Sequence, residues 1–401
     1  MTAIINEKFT MTSHPCDCFI DTTHDENGKE NHVLRVQEKK DVSLKFAYMP
    51  KEGLVRVDEE TGSVIGKNIL GELIAIKDGE RDKLIRFISE YGFLVPLSGN
   101  VLESFDFKDV FGVQKRIKET LRLMSLLQES YVQYKRILSI VSWLLLSDRI
   151  SLRSIEQEKA ILETCIHSYV AEMGRQSRTD YSYENYDPYS SQSITVEDSL
   201  YENLQSVPLS QFENDSFIAD SMDGQDAILS KYNAASLYLF HQDCLPDVRK
   251  IIDYYYHITQ EIGDLLSFNE KGEAQFACPN EELATRFNDS LRKATLDIAK
   301  IVIKEELDYA INAIYPSYDI ETMSASWKIP DLYSALFFAI FYMKPDVEIY
   351  RKCENPNCEC YFLVSTTNSK RKYCSDECSN AMQQRKYRKR KKKTSAGTDV
   401  S

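Results

Sequence analysis

Half of the chain's ten cysteines fall between residues 353 and 378, and this crowding limits what the C-terminal stretch can fold into. Cys353 and Cys358 have four residues between them, and Cys374 and Cys378 have three. So short a segment buries too little core to hold itself without a staple. Zinc favours a tetrahedron of soft or borderline ligands, and two thiolate pairs supply one. Asn355-Pro356-Asn357 carries the turn chemistry that folds the first pair onto one point. On a first helical turn, positions i and i+4 share a face, so Cys374 and Cys378 reach the same metal. Ser375 suits the N-cap, and Asp376 and Glu377 suit the positive helix end. Between the pairs, residues 360–364 read as a strand, 366–369 as a turn and 370–373 as a return strand. The expectation is a zinc-stapled β-hairpin followed by a basic helix, with Cys353, Cys358, Cys374 and Cys378 as ligands. A set in which Cys360 replaces Cys358 stays open, although strand alternation points Cys360 into the small core. Reduced structural thiols or disulfides are the plainer alternative.

The basic helix follows directly. Eight of the nine residues from Arg385 to Lys393 are Lys or Arg. Residues 351–393 carry thirteen cations against four anions, net +9, whereas the remainder carries thirty-six against fifty-eight, net −22. An acidic body with a basic tail confines polyanion binding to the tail. Charge on every face makes the helix repel itself until phosphates neutralise it. The candidate nucleic-acid contacts are Arg371, Lys372, Asn380, Gln384, Arg385, Lys386, Tyr387, Arg388, Lys389 and Arg390. The cations suit phosphates, Asn380 and Gln384 suit base edges, and Tyr387 suits stacking on a base. A solubilising or charge-paired tail is the competing interpretation.

These residues resemble the CGNR-type zinc finger, which closes bacterial proteins whose upstream helical domain is often called ABATE. The resemblance rests on Arg351, Cys353, Cys358, Phe362, Arg371, Tyr373, Cys374, Cys378 and Asn380. It departs at Ser379, where the family has Gly, and at Ala381, where it has Arg. Those departures leave zinc binding intact and remove the signature arginine. The resemblance spans about residues 325–393. It implies a bound zinc and a nucleic-acid-binding transcriptional regulator, with DNA ahead of RNA.

Upstream, the patterning predicts a mainly α chain with a small N-terminal β-meander, an α+β arrangement. Residues 1–30 read as loose; Cys16 and Cys18, near His14 and His24, are a second metal candidate, with incidental thiols as the plainer alternative. Residues 31–178 read as a small sheet followed by helices, with strands near 33–36, 43–48, 54–57 and 64–65. Helices are expected at 81–91, over 111–147 and over 154–173. In the second, Ile117, Leu121, Met124, Tyr131, Leu138 and Leu145 keep near-heptad spacing, as a bundle face or a dimer seam. The third carries Cys165 and His167 as packed side chains. Residues 179–230 hold eleven Asp or Glu and no Lys or Arg, an acidic linker or insertion. Residues 231–348 read as a helical body with long helices at 281–314 and 331–343, then comes the finger at 349–393 and a disordered tail at 394–401.

The sequence holds no Walker loop, Gly-x-Gly-x-x-Gly, His-Glu-x-x-His or Gly-x-Ser-x-Gly, so no enzyme is expected. Its longest uncharged apolar run, Leu332–Met343, falls short of the roughly 18–20 residues that cross a bilayer, so no membrane partner is expected. Free thiols around zinc fit a reducing, cytoplasmic compartment. The leading expectation is a DNA-binding regulator with a sensing or homodimerising helical body. The alternative is an interaction protein whose zinc is only structural and whose basic tail docks an acidic surface, including its own linker.

Overall fold

The computed structural model describes residues 8–24, 30–98, 101–129, 131–157, 159–170, 193–195, 206–208, 245–269, 272–320, 323–344, 347–358, 360–365 and 371–395. Helices take 43% and strands 26% of these, so the chain is an α+β mixture with several small sheets rather than mainly α. It divides into two compact units: residues 1–121, 150–164 and 307–401 in one, residues 122–149 and 165–306 in the other. The expected acidic stretch 179–230 lies outside the described residues, apart from the backbone of one short antiparallel pair, Ser193–Thr195 with Ser206–Pro208. Residues 396–401 also lie outside them. Among the described residues, no helix is long and apolar enough to cross a membrane.

The first unit is built on two antiparallel sheets. Alternating and clustered apolar residues bury Leu44, Phe46, Ala47, Tyr48, Leu54, Val55 and Val57, which favours pleated pairing. Strands Phe9–Ser13, Leu44–Met49, Gly53–Val57 and Val64–Ile65 lie side by side in that order. Lys51 and Gly53, at φ 77° and 75°, make the tight turn between the middle two. The second sheet joins Cys16–His24, Glu30–Glu38 and Glu103–Asp106.

The N-terminus therefore departs from the loose segment expected for residues 1–30. Phe9, Met11 and Cys16 are buried, and the Phe9 ring sits 4.9 Å from Phe338 and 5.5 Å from Tyr48. A few apolar positions in a polar stretch suffice once a sheet edge is there to receive them. Phe338 belongs to the helix Leu332–Tyr342, which is buried along most of its length. Asp331 caps it, accepting from Ser334 N at 2.7 Å.

A second departure lies at 154–173. A hairpin of Ser151–Arg153 and Ala160–Glu163 replaces the start of the expected helix. Glu156 is the cause: its carboxylate accepts from Ser104 N at 2.9 Å, from Ser154 Oγ at 2.5 Å and from Arg35 Nη1 at 2.9 Å. Two tertiary partners, Ser104 and Arg35, and the local Ser154 hydroxyl on one carboxylate outweigh a weak helical propensity.

The second unit is mainly helical, with Tyr134–Leu146, Pro246–Ile262, Asn280–Arg286 and most of Asp289–Ile311 around buried Ile137, Ile251, Tyr254, Leu291, Ile298 and Val302, and a short hairpin, Leu265–Phe268 with Ala274–Phe276. Both long helical patterns are interrupted. The first divides into Phe107–Leu126 and Tyr134–Leu146, and the heptad residue between them, Tyr131, is 80% exposed. The second divides at Phe287–Asn288, where Asn288 Oδ1 accepts from Leu291 N at 3.0 Å and caps the new helix. Pro316 lies in a strand, Tyr315–Asp319, paired with Ser324–Lys328.

Candidate metal centre and basic helix

The C-terminal stretch of the first unit begins with a hairpin, Glu348–Lys352 paired with Tyr361–Ser365. Its arms differ from those expected. The strand before the first cysteine pair joins the strand after it, while residues 371–373 are not a strand and 366–370 lie outside the described residues. The reason is the turn at Asn355-Pro356-Asn357, which reverses the chain between the arms. Asn357 N bonds to Asn355 Oδ1 at 3.2 Å and Cys358 N to Asn355 O at 2.8 Å. Cys353 N bonds to Cys360 O at 3.0 Å and continues the ladder past the last strand pair. Cys353 and Cys358 thus sit on a knuckle clamped by the sheet.

The other pair comes from the helix Asp376–Ser395. Cys374 lies just before it and Cys378 in its first turn, where Cys378 N bonds to Ser375 Oγ at 3.4 Å. Ser375 is the expected cap. The Sγ atoms of Cys353, Cys358, Cys374 and Cys378 all lie within 4.8 Å of one another. Cys358 and Cys374 are 3.5 Å apart, Cys374 and Cys378 3.6 Å. Zinc–sulfur bonds of about 2.3 Å in a tetrahedron place the sulfurs roughly 3.8 Å apart, so the four fit zinc. Cys360 is outside this group; its thiol points to Tyr361 O at 3.1 Å in the small core. The ligand set is therefore the one with Cys358.

Burial pushes the Cys358 thiol up to about 12. Contact with Cys360, then burial, pushes Cys374 well above the usual thiol range. Three of the four thiols are buried and Cys374 is half-buried. Burial opposes ionisation of Cys378 too, but contacts with Asn355 and the neighbouring thiols bring it below the ordinary value, and a dication compensates thiolates crowded in this way. Asn355 Nδ2 donates to Cys378 Sγ at 3.4 Å, a contact that orients a ligand. In the sequence Asn355 is marked only as a turn residue; its position between the first two ligands is the signal for this second role. Burial opposes the charge on Lys67, yet Glu72 and the thiols of Cys358, Cys360 and Cys374 hold its pKa above the ordinary value.

The finger packs on the N-terminal sheet of its own unit rather than standing off it. Helix Ile69–Ala75 meets the strand Tyr361–Ser365 so closely that a Cβ at Gly71 would lie 1.8 Å from Tyr361 O. Asn68 links the two: its Oδ1 accepts from Gly71 N at 2.6 Å and Tyr350 Oη at 3.2 Å, and its Nδ2 donates to Glu52 O at 2.6 Å.

The candidate nucleic-acid residues divide by environment. Arg371 is engaged: its guanidinium lies 5.3 Å from the Phe362 ring centre, and Nη2 donates to Cys374 O at 3.1 Å. Lys372 is exposed and pairs with Glu354 at 3.2 Å. Asn380, Gln384, Arg385, Lys386 and Arg388 are exposed along the helix. The side chains of Tyr387, Lys389 and Arg390 lie outside the described residues, although the helix backbone continues through them. An open groove beside the finger is lined by Glu52, Arg371, Lys372, Asp376 and Glu377. Its carboxylates make this end of the helix a poor phosphate site; the cations lie further along.

Residues 350–391 match the family model of the CGNR zinc finger. No curated protein and no solved structure matches the chain. The C-terminal stretch is thus a CGNR zinc finger whose four cysteines form a zinc site.

Proposed function

We propose that the zinc holds the helix Asp376–Ser395 out as a DNA-binding element and that the chain is a cytoplasmic transcriptional regulator. The observation that carries this reading is the helix surface. Asn380, Gln384 and Arg388 are spaced i, i+4 and i+8, all exposed, with Arg385 and Lys386 beside them. At 1.5 Å per residue the helix reaches about 26 Å beyond Cys378, long enough to lie in a major groove with amides toward base edges and cations toward phosphates. Arg371 contributes by bracing the finger against Phe362 and Cys374. The helical unit is assigned a sensing or dimerising role, and no catalytic step belongs to this reading.

The three carboxylates that line the groove beside Arg371 and Lys372 favour one second reading. There the finger is a structural staple, and the basic helix docks an acidic protein surface or the chain's own residues 179–230. Sequence preference separates the two. Selection of zinc-loaded protein against a randomised duplex pool is expected to converge on a motif. Enrichment of no motif, with binding that ignores sequence, would favour the docking reading.

A further inference from the structure

Outside the finger, the described residues contain one more group of metal-ligating side chains. Cys165, His167 and Glu306 offer a sulfur, a nitrogen and an oxygen that all lie within 4.8 Å of one another. Their exposures are 3%, 2% and 0%. All three belong to the second unit. Cys165 and His167 stand two apart just after the hairpin that ends at Glu163; Glu306 is on the helix Asp289–Ile311.

The geometry points to a second site for a zinc-class divalent ion, ligated by Cys165 Sγ, His167 Nε2 and a Glu306 carboxylate oxygen. The donor set mixes thiolate, imidazole and carboxylate, all of which zinc accepts. His167 Nε2 lies 3.1 Å from Glu306 Oε1. In a tetrahedron with metal bonds of about 2.0–2.2 Å that edge measures roughly 3.4 Å, so the two ligands already stand near the required separation. Behind the ring, His167 Nδ1 is 2.6 Å from Glu305 Oε2. A carboxylate there fixes the ring and leaves Nε2 facing the metal, the usual support for a ligating imidazole. Glu305 is held in turn by the Ser168 hydroxyl and by Ser168 N at 3.4 Å. Cys165 Sγ lies 3.6 Å from Glu305 O and closes the third side. Two carboxylates beside a buried thiol are costly without a compensating cation.

The competing arrangement uses the same atoms without metal: a protonated His167 clamped between Glu305 and Glu306. Metal content separates the two and does not depend on nucleic-acid binding. Full-length protein saturated with zinc and passed over a chelating resin is expected to keep two ions per chain by elemental analysis. Cys165→Ser and His167→Gln should each keep one, with the helical circular dichroism signal unchanged. Titration of metal-free wild-type protein with cobalt provides a readout that needs no variant. Two equivalents should bind, one with the intense sulfur charge-transfer bands of a four-thiolate site and one with the weaker band of a single thiolate. One ion per chain in the wild type, saturation at one cobalt equivalent, or two ions kept by both variants would overturn the proposal.

Discussion

Replacing Gly71 with alanine tests whether the finger is a docked part of the first unit. In an isolated helix the change stabilises by about 1 kcal/mol, because alanine is the better helix former. Gly71 is in the helix Ile69–Ala75, so that gain would apply here too. The new Cβ, however, would lie 1.8 Å from Tyr361 O and 2.7 Å from Tyr361 C, both backbone atoms of the finger's strand. Ordinary contact needs about 3.5 Å, so the strand must retreat by well over 1 Å. Overpacking of this kind costs roughly 1–3 kcal/mol or more, and the retreat also strains the Asn68–Tyr350 hydrogen bond. The expected net effect is destabilisation by about 2 kcal/mol in urea unfolding of the zinc-loaded chain, with faster zinc loss to a colorimetric chelator. An alanine variant as stable as the parent, losing zinc at the same rate, would refute the docking of helix against strand.

Other perturbations follow from the same contacts. Asn68→Ala removes a helix cap and two cross-links from a buried side chain; chemical denaturation should show a loss of about 2–4 kcal/mol. Burial works against ionisation of Glu156, but hydrogen bonds from Ser104 and Ser154 hold its carboxyl down at about 2. A depressed acid stabilises above its unfolded value and loses that contribution as pH falls through the folded one. Its side chain is 39% exposed, so solvent screening trims the effect of Glu156→Gln to roughly 1–2 kcal/mol at neutral pH, vanishing in melts near pH 2. Chelating the zinc should strip hydrogen-exchange protection from the described residues 353–358, 360–365 and 371–379, since structural zinc supplies on the order of 10 kcal/mol. The buried strand residues Val33, Leu34 and Val36 should keep theirs.

The zinc ligands were legible because metal geometry constrains spacing and residue type locally. Ser375 as the cap and Asp331–Met343 as a buried helix were legible for the same reason: short-range chemistry decided them. What the pattern missed depends on distant partners. The strand at 348–352 needs Tyr361–Ser365 to be recognised, and its Arg351–Phe362 register is invisible one strand at a time. Glu156 turns an apparent helix into a hairpin through Ser104, fifty-two residues away. Asn288 restarts a helix that periodicity carried straight through. His167 gave no local sign of Glu305 and Glu306. Arg371 read as a phosphate contact because charge is visible in sequence, whereas its stacking on Phe362 is not.

The most direct test of the central claim is the salt dependence of DNA binding. Zinc-loaded full-length protein would be measured by fluorescence anisotropy on a duplex at several salt concentrations, beside a variant with Arg385, Lys386 and Arg388 changed to Gln. With about six phosphate contacts, log affinity against log salt should fall with a slope near −5, and the variant should lose about three units of it. Equal slopes for the two proteins, or no binding by the full-length protein at low salt, would contradict the assignment of the helix as the DNA-binding element.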